Sequence, residues 1–287
     1  MTGVLEIDDK TVIGMRTSWQ KKHLVVPSGI EVISRNAFQY RNGLVSVTLP
    51  DSLTSVEDAA FKFCSGLTSL KIPDNLRRIG PVSFFSCKRI TSIKLPDTLT
   101  HFGSGAFEHC TALTHVTLPS TLTRLPTSAF QCCTSLATLR LPTALASIGD
   151  SVFESCCSLT ALTLPASLRS IGNNAFQGCA RLTSLELPHG LREVGENVFA
   201  DCLALDVKFK PPVSRAFIVW ALSNSHGRQN WELTSIKQLR NVLSLITVFT
   251  TSCRDVVELD PDGSKELFKD NRLFRSDEDS VFSDVTW

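Results

Sequence analysis

Nine prolines, at positions 27, 50, 73, 96, 119, 142, 165, 188 and 211, stand 23 residues apart without exception. Between them the same offsets carry the same chemistry. With each proline as position 1, the copy that starts at Pro165 places Leu168, Ile171, Ala175, Phe176, Cys179, Leu182, Leu185 and Leu187 at positions 4, 7, 11, 12, 15, 18, 21 and 23. A fixed period of this length marks a stacked array, in which no copy buries its apolar side alone and neighbours share one core. The 287 residues therefore read as one elongated repeat body with appended ends rather than as two globular domains.

Position 12 never varies: Phe38, Phe61, Phe84, Phe107, Phe130, Phe153, Phe176 and Phe199. One large ring per coil predicts a continuous internal stack. The stretch Leu182-Thr183-Ser184-Leu185-Glu186-Leu187 alternates inward and outward, which is strand periodicity. The next proline ends it, because it has no amide to donate to a ladder. Leu168 to Ile171 predicts a second short extended piece. Gly80, Gly103, Gly149, Gly172 and Gly195 share position 8, which predicts a turn with positive φ. Asn173 to Cys179 predicts a single helical turn with Ala175, Phe176 and Cys179 facing in.

Seven of the ten cysteines form a ladder at the same period: Cys64, Cys87, Cys110, Cys133, Cys156, Cys179 and Cys202. Coils at strand spacing, about 4.8 Å, are close enough for disulfides. Each cysteine, however, would have two equivalent neighbours and parallel side-chain vectors. The ladder reads as reduced, buried thiols acting as small hydrophobes with a weak S–H donor.

Residues 1–26 read as an N-terminal cap. Val4, Ile7, Val12 and Ile13 suggest a hairpin across Asp8-Asp9-Lys10, and Leu24 and Val26 already match the last inward positions of a repeat. Eight repeats occupy 27–210. In CLALDVKFKPP the spacing after Leu205 is one residue short, and a one-residue slip reverses the face a strand buries. Stacking is therefore expected to end near Cys202. Residues 211–252 read as a helical cap module, with Leu233, Ile236, Leu239, Val242, Leu243, Ile246 and Phe249 at three- and four-residue steps. Residues 253–287 read as a flexible acidic tail, with Leu267-Phe268 and Leu273-Phe274 as candidate docking anchors and Ser276 beside Asp277-Glu278-Asp279 as a candidate phosphorylation site.

At this point the chain resembles a known family. The pattern LP-x-x-LxxIGxxAFxxCxxLTxLxLP, in eight copies over about two-thirds of the chain, resembles the BspA-like, or Treponema-type, leucine-rich repeats. The resemblance implies a solenoid that binds proteins or matrix, often at a cell surface, and it carries no catalytic residues. The fold expectation is a right-handed β/α leucine-rich repeat superhelix, with short parallel strands, single helical turns and a C-terminal helical module.

A formal net charge of +1 gives no global attraction to nucleic acid or membrane, so electrostatic arguments are local. The longest apolar run, Ala216 to Leu222, is far short of the ~20 residues of a spanning helix, and the first residues lack the features of a secretory signal. A cytoplasmic location follows as the expectation, with the cell surface as the alternative. There is no GxSxG elbow and no phosphate-cradling glycine loop, so no enzyme and no cofactor are expected. His226 and Cys253 do not make a catalytic constellation. His101, His109, Cys110 and His115, with Cys132, Cys133, Cys156 and Cys157 beyond, fall on different parts of the coil and are not expected to converge on zinc. What remains is surface. Lys71, Lys94 and Arg140 lie on outward strand positions, and Arg77, Arg78, His101, Arg124, Arg169 and Arg192 lie just past the proline corner. They are expected to form a basic stripe for an acidic protein partner on a monomeric, non-enzymatic scaffold. Nucleic acid is not expected.

Overall fold

The computed structural model describes residues 5–15 and 22–209 of the chain. The expected helical module at 211–252 and tail at 253–287 lie outside the described residues. The described part is a solenoid of about eight turns, built as the 23-residue period dictates.

Each coil contributes a short extended piece at positions 6–7 and a second at about 20–22, the second reduced to single bridges at Thr138 and Ala161 in the fifth and sixth coils. The first pairs in parallel with its equivalent one coil on, as Val32 opposite Ser55, Ser55 opposite Arg78, and Arg78 opposite His101. The second does the same on the other side of the proline corner, as His23 opposite Ser46 and Ser46 opposite Ser69. At the N-terminal side Leu5–Asp8 and Thr11–Met15 form the expected hairpin, with Asp9 at φ 49° in its turn. Thr11–Met15 then pairs in parallel with Val32–Ile33, so the cap is the first rung of the ladder. Arg41 holds position 15, where later coils carry cysteine, and donates from Nη2 to the Met15 carbonyl at 2.7 Å.

The phenylalanines line up inside. Consecutive ring centroids lie 5.0–6.1 Å apart with planes within 23°. Phe38 through Phe176 are fully buried. The cysteine ladder runs beside them, and each ladder thiol donates to the carbonyl of the phenylalanine in the preceding coil at 3.0–3.2 Å. Burial pushes the Cys64 and Cys110 thiols up to about 12, so both stay protonated and poorly nucleophilic near neutral pH.

The expected helical turn is not formed; among the described residues there is no helix. Positions 10 and 14 adopt left-handed φ in all eight coils, from Asn36 (59°) and Tyr40 (62°) to Asn197 (53°) and Asp201 (59°). Right-handed helix cannot continue through such residues. Backbone bonding explains the preference. Amides at odd positions close tight turns within the coil, as Ala37 to Ser34 and Gln39 to Asn36, whereas positions 10, 12 and 14 donate to positions 9, 11 and 13 of the next coil. Asn36, Phe38 and Tyr40 thus reach Asp58, Ala60 and Lys62 at 3.1, 2.8 and 2.9 Å, and the same three bonds cross each of the seven junctions. A helical turn would keep every amide for its own segment and leave the carbonyls of the stacked neighbour unpaired.

The glycines also act differently from expectation. None of Gly80, Gly103, Gly149, Gly172 and Gly195 has positive φ. A Cβ on Gly103 would sit 2.3 Å from the backbone of Gly80 and Pro81 in the coil before, so the constraint is close coil-to-coil approach. Stacking also does not end at Cys202. Asp206–Phe209 pairs with Ser184–Leu187 at an offset of 22, with Leu185 opposite Val207. The Leu205 amide still reaches the Cys202 carbonyl at 3.1 Å, as in other coils. The missing residue is therefore position 19, an outward connecting site occupied by Thr183 one coil earlier, and the strand keeps its register.

One seam crosses the ladder at positions 6–7. Position 8 normally donates to position 7 of the preceding coil, as Gly103 to Ile79 and Gly149 to Leu125, both within 2.9 Å. In the fifth coil position 8 is Pro126, which has no donor. The strand ladder divides there, between His101–Phe102 and Arg124–Leu125.

Candidate interaction surface

Inward columns are occupied by the shared core, so distinct chemistry is confined to outward positions. Lys71, Lys94 and Arg140 are exposed at position 22; Lys94 ends the strand Ser92–Lys94, whereas Lys71 and Arg140 lie outside strands, contrary to the expected strand positions. Arg77, His101, Arg124, Arg169 and Arg192 are exposed at positions 5 and 6, and Arg78 is half-buried there. The parallel register puts His101 opposite Arg78. Arg169 and Arg192 are adjacent in the last two coils, joined by an amide-to-carbonyl bond of 2.7 Å. The eight lysines and arginines, with His101, thus fall into two columns, one on either side of the proline corner. Both columns are interrupted: Thr117 and Thr163 break the position-22 column and Glu186 follows them, while Ala146 and Ser147 break the other, which ends with Glu193 beside Arg192.

Their charges are not equally available. Arg78 donates from Nε to Glu57 Oε2 at 3.1 Å, and its Nη2 lies 3.6 Å from Asp58 Oδ1. Arg169 folds onto its own coil, giving Nη1 to the carbonyls of Ala166 and Leu168 at 2.9 and 3.2 Å. Close to Lys94, Asp97 accepts from the amide and hydroxyl of Ser120, and these donors hold its carboxyl below the usual range.

The histidines and cysteines examined for zinc are distributed over the coil. His101 and His115 are on different strand ladders, His109 is on the turn with Nε2 3.8 Å from Glu108 Oε1, and Cys110 donates a hydrogen bond from Sγ to the Phe84 carbonyl. Among the described residues no group of three or more potential ligands converges.

A second surface feature escaped the charge-based reading. On the turn side, Tyr40 and Phe63 stack at 4.9 Å with an interplanar angle of 11°. Phe63 and Phe85 meet edge to face at 5.2 Å, and Phe85 and His109 do so at 5.4 Å. Lys62 Nζ lies over both Phe63 and Phe85, at 5.4 and 5.1 Å. Tyr40 is 61% exposed, and the other rings are half-buried. The signal was present as aromatic residues at positions 13 and 14 of consecutive copies.

Among the described residues no helix is long and apolar enough to cross a membrane. No curated protein matches the chain. Solved structures similar in fold include two leucine-rich repeat proteins. A leucine-rich repeat protein from Bacteroides ovatus is 25% identical with a TM-score of 0.59, over 71% of this chain and 66% of that one. A leucine-rich repeat protein from Eubacterium ventriosum is 20% identical with a TM-score of 0.51, over 72% of this chain and 50% of that one. The chain therefore spans less than two thirds of either protein. The model of the BspA type leucine rich repeat region matches in six copies, over residues 17–137 and 102–216. The chain belongs to the BspA-type leucine-rich repeat family.

Proposed function

We propose that this protein is a non-enzymatic, monomeric interaction scaffold that presents a rigid repeat surface to an acidic protein partner. The observation that carries the reading is the pair of cation columns, Lys71, Lys94 and Arg140 on one and Arg77, His101 and Arg124 on the other, standing on backbone fixed by inter-coil hydrogen bonds. A pre-ordered surface loses little entropy when it docks, and clustered exposed cations in the third to fifth coils steer an oppositely charged partner. Arg78, already paired with Glu57, contributes less than its neighbours. The division of labour assigns 1–26 to the cap, 27–210 to the binding array, 211–252 to an end module and 253–287 to a tail.

The test is affinity capture from cell extract with Lys94, Arg124 and Arg140 reversed to Glu. Partners captured by the parent and lost from the reversed protein, with unchanged thermal unfolding, support the reading. An unchanged partner list refutes the role of the columns.

Family membership favours a second reading, adhesion or recognition at the cell surface. Fractionation of the tagged full-length protein separates it from a cytoplasmic scaffold.

A further inference from the structure

We propose that the turn-side aromatic ladder formed by Tyr40, Phe63, Phe85 and His109, with Lys62 over its rings, is a separate docking face for an acidic peptide segment carrying apolar side chains.

Backbone conformation first marks these residues out. Tyr40, Phe63 and His109 occupy position 14 with φ of 62°, 61° and 58°. Left-handed backbone suits glycine and small polar residues and is uncommon for bulky ones. The fold itself needs only the turn there, because other coils fill the same position with Ser86, Ser155, Gly178 and Asp201. Large rings have been placed where the backbone resists them and where they do not reach the core. Strain that the fold does not require points to function.

Ring geometry then decides what the face can receive. Tyr40 and Phe63 cover each other's faces, and the Lys62 ammonium lies over Phe63 and Phe85. Stacking covers one face of Tyr40 and one of Phe63, and Tyr40 remains 61% exposed, so ring edges are among the open parts of the ladder. An aromatic ring is negative on its face and positive at its edge, so this surface favours carboxylate and carbonyl oxygens. Local charge agrees: Lys88 and Arg89 are exposed three and four residues along from Phe85. Glu108 faces His109 at 3.8 Å and lies within electrostatic reach of Lys62 and Glu154, so the free positive charge lies mainly toward Lys88 and Arg89. Nucleic-acid bases need free ring faces on which to stack, and Phe63 already has Tyr40 stacked on it and Lys62 over it. Apolar side chains fit between ring edges, and carboxylates meet the edges and cations. This face is distinct from the cation columns, so either surface can fail without the other.

The experiment uses the full chain and a fluorescein-labelled 12-residue peptide alternating Asp or Glu with Leu or Phe, read by anisotropy. Binding is expected to fall at least tenfold in the Phe63→Ser, Phe85→Ser double variant and in Lys62→Glu, and to persist when Lys94, Arg124 and Arg140 are reversed. Ser already occupies position 14 elsewhere, and position 13 takes polar residues such as Gln131 and Gln177 in other coils, so the double variant is expected to fold, and thermal unfolding checks this. Tyr40→Ser provides a milder, exposed variant should the double variant unfold, with a loss of at least threefold expected. Equal binding by parent and variants, no binding by the parent, or preference for a 12-nucleotide single-stranded RNA overturns the proposal. So does loss of a parent dimer in the same variants by sedimentation, which would assign the face to a second copy of the chain.

Discussion

The first four coils and the last four are the same object seen from inside and different objects seen from outside. Both halves stack one phenylalanine per coil, and both carry the thiol ladder. The outer turn of the first half bears Tyr40, Phe63, Phe85 and His109, whereas that of the second bears Cys132, Ser155, Gly178 and Asp201. The halves also meet imperfectly. Phe102 replaces the usual aliphatic residue at position 7, and Pro126 withholds an amide at the next junction. Ring spacing reaches 5.9 and 6.1 Å around Phe130, against 5.0–5.3 Å in the first half. Inward positions are held uniform because each residue touches its own copies above and below. Outward positions have no such obligation, and they are where this molecule differs along its length.

The interior uniformity predicts a large alkaline effect. Burial raises the Cys64, Cys87, Cys110, Cys133 and Cys156 thiols in the folded chain, while the unfolded chain releases those protons near the ordinary value of 9.0. Protonated thiols therefore favour the fold fully below about pH 9, and that contribution is lost as pH climbs from 9 towards 12. The slope is about 1.4 kcal/mol per pH unit for each thiol ionised only in the unfolded chain. Urea midpoints measured from pH 7 to 11 check it. Cys110→Ala and Cys133→Ala, on the two sides of the seam, should each reduce the slope by the same amount; unequal reductions would break the claim of a uniform interior.

A smaller effect separates inside from outside. Phe107→Ala removes a fully buried ring and is expected to cost about 3–5 kcal/mol. Phe63→Ser removes only ring-edge and stacking contacts on the surface and is expected to cost under about 2 kcal/mol. Chemical denaturation compares them, and similar losses would erase the distinction. Smallest is the seam itself. Pro126→Ala restores an amide facing the Phe102 carbonyl and should add about 1 kcal/mol. Hydrogen exchange should then show the new amide at 126 protected and slower exchange in the amides of the fourth and fifth coils. Unchanged exchange at the seam would mean that Pro126 is not what divides the ladder.

Much of this was legible in the sequence because a 23-residue period leaves few architectures to consider. The phenylalanine column, the thiol donors, the N-terminal hairpin and the place of Leu24 and Val26 all follow from spacing and polarity. The turn conformation did not follow, because inward residues at positions 11, 12 and 15 suit a helical turn and a left-handed zigzag equally. Only the needs of the neighbouring coil's carbonyls separate the two. The glycines at position 8 misled for a related reason: a missing Cβ signals either positive φ or close approach, and one coil viewed alone cannot say which. At Leu205 the slip was visible, but whether the lost residue came from the strand or from the connector before it was not. The cation columns were readable as positions, whereas the pairing of Arg78 with Glu57 and the back-folding of Arg169 required coordinates. The outer aromatic ladder was missed because attention to charge passed over rings in adjacent copies.

The turn ladder has an electrical consequence. Three amides per junction all point toward the higher-numbered coil, so their dipoles, about 3.5 D each, add along the axis of the array instead of cancelling as in ordinary sheet. The solenoid is polarised on that flank, positive where the donors emerge and negative where the acceptors begin. Side chains at the two extremes conform, with Arg41 seated in the first coil and Glu196 and Asp201 in the last. Exchanging the signs of those end residues would set permanent charges against the field of the backbone.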